Sequence, residues 1–476
     1  MAAKRGLSLW VAVAATAVVV LPLGYFWQAS LLPDTYDLAT MGYADWGGGP
    51  HGEHRPSGTP VAELIADPGA PADVETTLTV REDSGHYTVN GSSPGPLLEA
   101  TVGDLLQITL VNENIDKGAT LHWHGVDVSN AADGVAGVTQ DAVRAGEKFV
   151  YRFVVDQAGT FWYHSHQISH EQVRRGLLGA LVVHPVTRDT HVLEQLALLH
   201  DYDGGPTLNG QEGVTAIDAE PGQHARIRIV NTDNGLSTAW VTGAAYQVLA
   251  VDGTSLTQPD LVEGKAVGVP AGGRVDLGLV VPLNGVRIDF GGTTTMVLGQ
   301  DPTDGEQTTA PDDFVDLLSY GEPADLSFDP AHPDRSFEFR IGKRPGFVDG
   351  RPGMWWTING HMFPDVPMFM VSEGDVVVFR IENTSDDAHP MHLHGHHSVV
   401  ISRDGVPATG TPWWVDSLEV RTGETYEIAF VANNPGLWMD HCHNLPHAAE
   451  GLVAHLMYDG VRSSYEIGGE TDNEPE

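Results

Sequence analysis

Apolar and polar residues alternate with a period of two through most of the chain. Three stretches share one pattern, in which a Gly precedes alternating apolar residues and an Asn closes the run: VGDLLQITLVNEN (102–114), PGQHARIRIVNTD (221–233) and EGDVVVFRIENTS (373–385). A period of two predicts a half-buried strand, and the Asn predicts a turn at its end. The pattern therefore predicts three similar β-units.

A longer repeat links the first and third units. RAGEKFVYRFVVDQAGTFWYHSH (144–166) matches RTGETYEIAFVANNPGLWMDHCH (421–443) almost position by position. Strand, turn and strand recur without helical periodicity, which is typical of β-sandwich domains. We expect an all-β fold with three domains, at residues 71–188, 189–325 and 326–462, of which the middle one has lost the histidines and looks like a spacer.

The two ends of the chain have different patterns. Lys4 and Arg5 precede residues 6–33, which carry no charge and are long enough to cross a bilayer. Residues 1–28 are predicted to be a transmembrane anchor with the rest of the chain outside the cytoplasm; a cleaved secretory signal and a buried core helix are the alternatives. Residues 29–70 are expected to form a flexible Gly/Pro-rich linker, and the acidic tail, 463–476, to be disordered.

Charge excludes one class of partner. The 476 residues include 25 Lys and Arg against 64 Asp and Glu, a formal net charge of −39. This chain lacks the positive charge that nucleic-acid binding requires, so no nucleic-acid partner is expected. The sequence leaves the oligomeric state open.

Histidines cluster in four short segments, and each contains a His-x-His pair. Side chains i and i+2 of a strand point to the same face, so each pair delivers two imidazoles to one place. Imidazole-rich sites suit copper, zinc, iron or nickel, and the lack of carboxylates inside the segments argues against zinc hydrolases and non-haem iron enzymes. The pattern predicts a copper cluster built from His122, His124, His164, His166, His392, His394, His441 and His443.

The single cysteine, Cys442, lies between His441 and His443. On a strand its sulfur points to the face opposite both imidazoles and therefore belongs to a second site. His389 and His447 remain outside the pairs and complete a His2Cys set, the ligand group of blue-copper electron-transfer centres.

The first repeat differs from the third at the thiolate position. Ser165 takes the place of Cys442, and His170 takes that of His447, so His170 is predicted not to bind metal. Other chemistry-bearing residues near the motifs are expected to be structural. They are His396 and His397 beside the ligand run, and Met354, Met362, Met368 and Met370, which are predicted to pack in the core.

The chain resembles the three-domain multicopper oxidases, of which laccases are the best-known members. The resemblance runs from about residue 71 to 460 and includes all four histidine segments in the family's order. It implies three cupredoxin-like Greek-key β-sandwich domains, four copper ions, one-electron oxidation of a small reducing substrate and reduction of O2 to water.

The same resemblance assigns the ligands position by position. It implies a type 1 copper at His389, Cys442 and His447, and a type 2 copper at His122 and His392. The type 3 pair would take His124, His164 and His443 on one ion, and His166, His394 and His441 on the other.

Two positions around the type 1 site depart from the family pattern. Leu452 stands where many bacterial relatives place a weak axial Met, and its lack of sulfur should give a three-coordinate, more oxidising centre. Sulfur from Met457 or Met439 would contradict this. Ala448 stands where bacterial relatives often carry an acidic residue, so that role is absent or passes to Glu450.

One acidic position of the family is present. Asp133, nine residues after His124, matches the carboxylate near the trinuclear cluster, and O2 reduction consumes protons, so a relay role is expected. A turn-forming Asp before Gly is the alternative interpretation.

Two enzymatic functions remain open. A laccase-like enzyme would take single electrons from phenols or aromatic amines at His447, whereas a metallo-oxidase would act on Cu(I), Mn(II) or Fe(II). An open apolar cleft at His447 favours the first, and a pocket lined by carboxylates or Met favours the second. Copper storage without oxygen consumption is a third, non-enzymatic possibility.

Overall fold

Strands dominate the structure of the chain, a computed structural model that describes residues 2–51, 58–300 and 308–476. Three pairs of β-sheets follow one another along the chain, behind one long N-terminal helix. The predicted all-β fold of three β-sandwiches preceded by an apolar helix is confirmed.

The N-terminal segment begins with the helix α1 (Ala2–Ala29) and continues with β1 (Thr35–Tyr36), β2 (Tyr43–Asp45) and β3 (Thr59–Pro60), with 3-10 turns at Leu38–Thr40 and Val61–Glu63. The part Leu9–Ala29 is long and apolar enough to cross a membrane, judged by length and composition alone. The expected flexible linker is wrong for the described part of residues 29–70. β2 pairs with a strand of the third sandwich, and Leu38 and Val61 are buried, so apolar contacts fix this segment. Residues 52–57 of it lie outside the described residues.

The first sandwich contains β4 (Val74–Asp83), β5 (His86–Val89), β6 (Leu98–Thr101), β7 (Leu105–Asn112), β8 (His122–His124), β9 (Lys148–Val154), β10 (Gly159–His164), the short helix α2 (Ser169–Gln172) and β11 (Leu178–His184). Its sheets have the strand orders β5-β4-β7-β9 and β6-β11-β10-β8. Every second residue of β7 is buried, as the apolar alternation predicts. The second sheet places two histidine-bearing strands, β8 and β10, side by side.

The second sandwich contains β12 (Leu193–Tyr202), β13 (Gly205–Leu208), β14 (Val214–Asp218), β15 (His224–Asn231), β16 (Ser237–Thr242), β17 (Tyr246–Val251), β18 (Thr254–Ser255), β19 (Ala266–Val269), β20 (Arg274–Val280), β21 (Val286–Phe290) and β22 (Thr294–Gly299). A six-stranded sheet, β13-β12-β15-β20-β17-β18, packs with a five-stranded one, β14-β22-β21-β16-β19. The turn between β19 and β20 reaches the histidine cluster described below.

The third sandwich contains β23 (Arg335–Val348), β24 (Arg351–Ile358), β25 (Pro367–Val371), β26 (Val376–Asn383), β27 (His389–Leu393), β28 (Ser398–Arg403), β29 (Val406–Pro407), β30 (Trp414–Val415), β31 (Ser417–Val420), β32 (Thr425–Val431), β33 (Leu437–Cys442), the short helix α3 (Leu445–Ala449) and β34 (Val453–Tyr458). β27 and β33, which carry the remaining histidine segments, pair antiparallel with Met391 opposite Cys442.

The acidic tail is ordered by side-chain contacts, contrary to the expected disorder. β35 (Val461–Arg462) immediately precedes the tail, and the tail itself forms β36 (Ile467–Gly468) and a 3-10 turn at Gly469–Thr471. Asn473 is fully buried, and its side chain bonds to the backbone of Ala142 and to Asp141. The acidic composition of the tail predicted a solvated segment, because composition does not show that the side-chain amide of Asn473 can bond to the first sandwich.

The prediction of core packing is correct for two of the four methionines and wrong for Met354, while Met362 is partly buried. Met368 and Met370 lie in the core on β25, whereas Met354 on β24 is 58% exposed. Met354 lies where the β23–β24 hairpin extends past the rest of its sheet, so no second layer covers it.

Candidate metal centre

One group of potential ligands surrounds the cysteine sulfur. Cys442 Sγ lies 3.6 Å from His389 Nδ1 and 3.8 Å from His447 Nδ1, and the two Nδ1 atoms are 3.3 Å apart. β33 supplies Cys442, β27 supplies His389, and α3 turns His447 back towards both. The Ser385 hydroxyl contacts His389 Nε2 at 2.8 Å and so leaves Nδ1 directed at the sulfur. The structure thus brings together the three residues predicted as the thiolate site.

Burial sets the protonation of this thiolate group. It raises the pKa of the Cys442 thiol and lowers the pKa of His389 to about 3, with the neighbouring His447 contributing to the latter shift. A buried thiol beside two neutral imidazoles becomes a thiolate only when a cation replaces its proton. The donor set therefore fits a soft metal ion.

An indole covers the thiolate group. The ring of Trp356 lies 4.7 Å from that of His389 and 4.5 Å from that of His447, centroid to centroid. Its Nε1 donates to Glu450 at 3.1 Å, and the Lys343 ammonium sits 3.8 Å from the ring centroid on the outer side. His447 alone of the three ligands is only partly buried.

The second group consists of eight imidazoles between the first and third sandwiches. β8 and β10 present two pairs from one side, β27 and β33 two pairs from the other, and all eight rings are buried. Ring centroids of neighbours lie between 3.8 and 5.9 Å apart. The members are the predicted ones, His122, His124, His164, His166, His392, His394, His441 and His443.

Several imidazole nitrogens face each other with no donor between them. His122 Nε2 lies 3.4 Å from His392 Nε2, and His394 Nε2 lies 3.1 Å from His441 Nε2. Burial, followed by the neighbouring imidazoles, lowers the pKa of His392 and of His394. The Nδ1 atoms of His122 and His392 face backbone carbonyls and so carry the ring proton, which leaves their Nε2 atoms as lone pairs. Lone pairs at such distances need a shared cation.

The predicted triads differ in how closely they assemble. His166, His394 and His441 place one nitrogen each within 4.8 Å of one another. His124, His164 and His443 are looser, with ring centroids 4.8 to 5.8 Å apart, yet each carries a buried nitrogen without any hydrogen-bond partner. Orphaned buried nitrogens that converge are the signature of ligands whose metal supplies the missing contact.

The outer nitrogens are held by the protein. His122 Nδ1 contacts the carbonyl of Asp133 at 2.8 Å, and the Asp133 carboxylate lies 3.1 Å from His394 Nδ1. Asp133 is fully buried, and burial raises the pKa of its carboxyl. The residue also precedes Gly134 in a turn, which agrees with the turn-forming interpretation, and its contacts add an orienting role.

Asp416 is a site residue that the sequence analysis missed. Its carboxylate lies 3.1 Å from His124 Nε2, and its carbonyl 2.8 Å from His392 Nδ1, so it orients one ring from each outer sandwich. Burial opposes its ionisation, but the Arg274 guanidinium and the bonds from His124 and His397 outweigh burial and hold the pKa well below its usual range. The one signal in the sequence is an Asp next to the apolar run Trp413–Val415.

The second sandwich contributes the cation of this arrangement. Arg274, at the start of β20, donates two bonds to Asp416, of 2.6 and 2.5 Å, and both side chains are buried. Asp252 accepts the backbone N–H groups of Arg274 and Asp416. The middle domain is therefore more than the spacer expected from its lack of histidines.

The same sandwich closes one side of the cluster. Gly272, in the turn before β20, has φ +78°, and a Cβ there would come within 2.7 Å of the His124 ring and 3.0 Å of the His443 ring. Its carbonyl accepts a bond from Trp162 Nε1. Only glycine allows the backbone to approach the imidazoles this closely.

The other histidines that the sequence analysis considered, His170, His396 and His397, lie outside both groups. His396 contacts the Tyr458 hydroxyl at 2.7 Å, and His397 lies 3.2 Å from the carboxylates of Asp127 and Asp416. His170 bonds to Glu476 at the end of the tail, at 2.5 Å. Their contacts are those of structural residues.

Known proteins are similar in sequence to this chain over the first and third sandwiches, which carry both ligand groups. Family models described as multicopper oxidase match residues 73–188 and 337–460. The multicopper oxidase MmcO of Mycobacterium tuberculosis is 27% identical over 83% of this chain and 89% of its own length. Laccase-1 of Botryotinia fuckeliana is 28% identical over 76% of this chain and 77% of its own.

A solved structure extends the likeness to three dimensions. The multi-copper oxidase from Pseudomonas thermotolerans covers 82% of this chain with all of its own length, at 28% identity and a TM-score of 0.66. Its match agrees with the thiolate and imidazole groups found here, whose donors suit copper. The chain belongs to the multicopper oxidase family, a laccase-like group of oxidoreductases with copper as cofactor.

Proposed function

We propose that this chain couples one-electron oxidation of phenols or aromatic amines to reduction of O2 to water. One observation carries the proposal. Cys442 belongs to the thiolate group, while its chain neighbours His441 and His443 belong to the imidazole cluster, so one short strand joins the two donor sets. A protein that only stores copper has no need of that connection.

The ligand assignment is part of the proposal. His389, Cys442 and His447 would hold the type 1 ion, and His122 and His392 the type 2 ion. The type 3 pair would be held by His124, His164 and His443 on one side, and by His166, His394 and His441 on the other. Copper, when bound, supplies one-electron oxidation at the thiolate site and dioxygen reduction at the cluster.

Asp133 is proposed to serve proton supply. It is buried beside His122 and His394, and its raised pKa favours a carboxyl that can hold a proton. The reaction consumes protons in a site closed to solvent, so a resident acid has a defined use. The Glu450 carboxylate accepts a hydrogen bond from Trp356 beside the thiolate group. Glu450 is therefore not proposed to supply protons at the imidazole cluster.

Substrate is proposed to deliver electrons at the exposed edge of His447. Trp356 packs against this ring and offers an aromatic surface beside it, which supports an aromatic substrate. His447 and Cys442 would hold the same copper ion, which would supply the one-electron step, and the chain neighbours of Cys442, His441 and His443, belong to the imidazole cluster.

A second candidate, oxidation of Fe(II), Mn(II) or Cu(I), rests on charge. Asp387 and Glu450 are the carboxylates whose fields act on His447, opposed by Lys343. Lys343 pairs with Asp387 at 2.9 Å, and Glu450 accepts from Trp356, so both carboxylates have partners already. This engagement favours the aromatic substrate as first choice.

Oxygen-electrode kinetics separate the two candidates. The copper-loaded protein is offered a panel of phenols and, separately, Cu(I), Mn(II) and Fe(II). We expect the protein to oxidise phenols, and we expect Asp387→Asn and Glu450→Gln to change the rate of phenol oxidation less than threefold. Glu263→Gln, which removes an exposed acid of the second sandwich, is the control. Turnover of metal ions alone, lost in Asp387→Asn or Glu450→Gln but not in Glu263→Gln, would replace the first candidate by the second.

We also propose that α1 anchors the chain in a membrane and leaves the three sandwiches outside the cytoplasm. Support comes from the exposed, uncharged surface of Leu9–Ala29 and from the two cations that precede it. Alkaline carbonate extraction of membranes tests this, because an anchored chain stays with the lipid and a processed one is released.

A further inference from the structure

The turn of the β23–β24 hairpin lies against the end of α1. Asp349 N–H donates to the Ser30 carbonyl at 2.9 Å, and Gly350 N–H to the Ser30 hydroxyl at 3.1 Å. A Cβ at Gly350, where φ is +70°, would come within 2.8 Å of Trp27 Nε1. The turn and the helix end are therefore in close, specific contact.

An apolar cavity continues this contact along the helix. It has a volume of about 620 Å³ and is lined by Leu23 and Phe26 of α1 and by Phe347 and Pro352 of the hairpin. The hairpin therefore runs beside the last two turns of α1.

Helix length fixes the depth of that contact in a bilayer. The 21 residues Leu9–Ala29 span about 31 Å at 1.5 Å per residue, which matches a hydrocarbon core of about 30 Å. Ser30 then lies at the boundary of the core. Hydrogen bonds to Ser30 place Asp349 and Gly350 at the depth of the lipid headgroups, and the flanking parts of the turn, residues 344–354, lie beside Leu23 and Phe26 at the outer edge of the hydrocarbon core.

The side chains of the turn suit that depth. Arg344 and Arg351 are exposed, and neither forms an ion pair with any residue that the structure describes, although the chain as a whole carries a charge of −39. Asp349 is the one acid between them. Pro345 and Met354 add exposed apolar surface.

We propose that residues 344–354 rest on an anionic phospholipid bilayer, with Arg344 and Arg351 facing lipid phosphates and the apolar side chains between them. The proposal depends on the anchoring proposed for α1. Docking would fix the orientation of the catalytic part, because the same hairpin carries Lys343 and Trp356, which cover His447. Lys343 lies five residues before Val348, about 17 Å along an extended strand, so the electron entry site lies within roughly 20 Å of the membrane surface.

A single-cysteine probe tests the contact in the full chain. Val348→Cys is labelled with a small fluorophore, since Cys442 is fully buried and spared from labelling. The control label is Asp404→Cys, at the exposed turn between β28 and β29. Both are reconstituted in vesicles of neutral lipid, or with one third anionic phosphatidylglycerol, doped with a headgroup-level quencher.

We expect strong quenching at residue 348 in anionic vesicles and little at residue 404. Each basic residue near an anionic surface favours docking by about fivefold, so Arg344→Gln with Arg351→Gln lowers the docked-to-undocked ratio about 25-fold. Equal, weak quenching at both positions would overturn the proposal. Failure of the chain to float with vesicles of either composition would instead refute the anchor, and oxygen uptake reports on the oxidase separately.

Discussion

The Arg274–Asp416 pair tests how the second domain supports the imidazole cluster. Arg274→Met keeps most of the side-chain length, removes the guanidinium and leaves Asp416, whose side chain is 1% exposed, with only His397 as a cationic neighbour. Removing one partner of a buried ion pair costs about 3–5 kcal/mol when the other charge stays buried and uncompensated. Because His397 still compensates part of the Asp416 charge, we expect the free energy of unfolding to fall by about 3 kcal/mol, the lower end of this range.

The same change should weaken metal binding. Asp416 orients His124 and His392, and loss of such an outer partner typically lowers metal affinity by about 10–100-fold. The type 2 ion would be lost first, since His392 is one of its two proposed ligands. The thiolate group has no contact with Arg274, so the blue colour should persist.

Arg335→Met is the matched control. Arg335 is equally buried and bonds to Asp375 at 2.6 Å within the third sandwich and the N-terminal segment, with no contact to the cluster. Both variants should unfold at lower denaturant concentration, but only Arg274→Met should lose the EPR signal of the type 2 ion. Arg274→Lys, which keeps the charge and loses the second bond, should recover part of it.

Equal behaviour of Arg274→Met and Arg335→Met would contradict the proposed support of the cluster by the second domain. Equal copper content and equal type 2 signals in Arg274→Met and Arg335→Met would mean that the second domain stabilises the fold without positioning the cluster. Denaturant unfolding followed by tryptophan fluorescence, together with copper analysis, supplies both numbers.

Three further outcomes are expected. Leu452→Met should lower the reduction potential of the type 1 ion in redox titration, and an unchanged potential would show that Leu452 does not occupy the axial position. Asp133→Asn should reduce oxygen turnover about 100-fold with copper retained, whereas full turnover would exclude it from proton supply. Bonding to Glu476 raises the pKa of His170, so the tail contact is present below the unfolded pKa of about 6.5 and is lost as pH rises through the raised value. NMR titration should therefore give a raised pKa for His170 that Glu476→Gln lowers, and an equal pKa in the variant and the wild type would contradict the explanation.

Much of the fold and both ligand groups follow from local rules. A period of two predicts strands such as β7, and the same geometry sends His441 and His443 to one face and Cys442 to the other. These predictions depend only on the alternation of side chains along a single strand, so the sequence alone is enough to make them.

The missed features depend on contacts between distant parts of the chain. Asp416 and Arg274 are 142 residues apart and belong to no repeated motif. The tail is acidic, yet Asn473 binds it to the first sandwich. Neither contact leaves a periodic pattern, because each depends on how whole domains pack.

The proposed function requires Cys442 to hold a copper ion beside a separate three-copper cluster. Copper analysis and visible spectra of the wild-type chain and of Cys442→Ser measure both sites at once. We expect four copper ions per chain with intense blue colour in the wild type, and three ions without that colour in the variant. A variant that stays blue, or a wild type that contains zinc in place of copper, would contradict it.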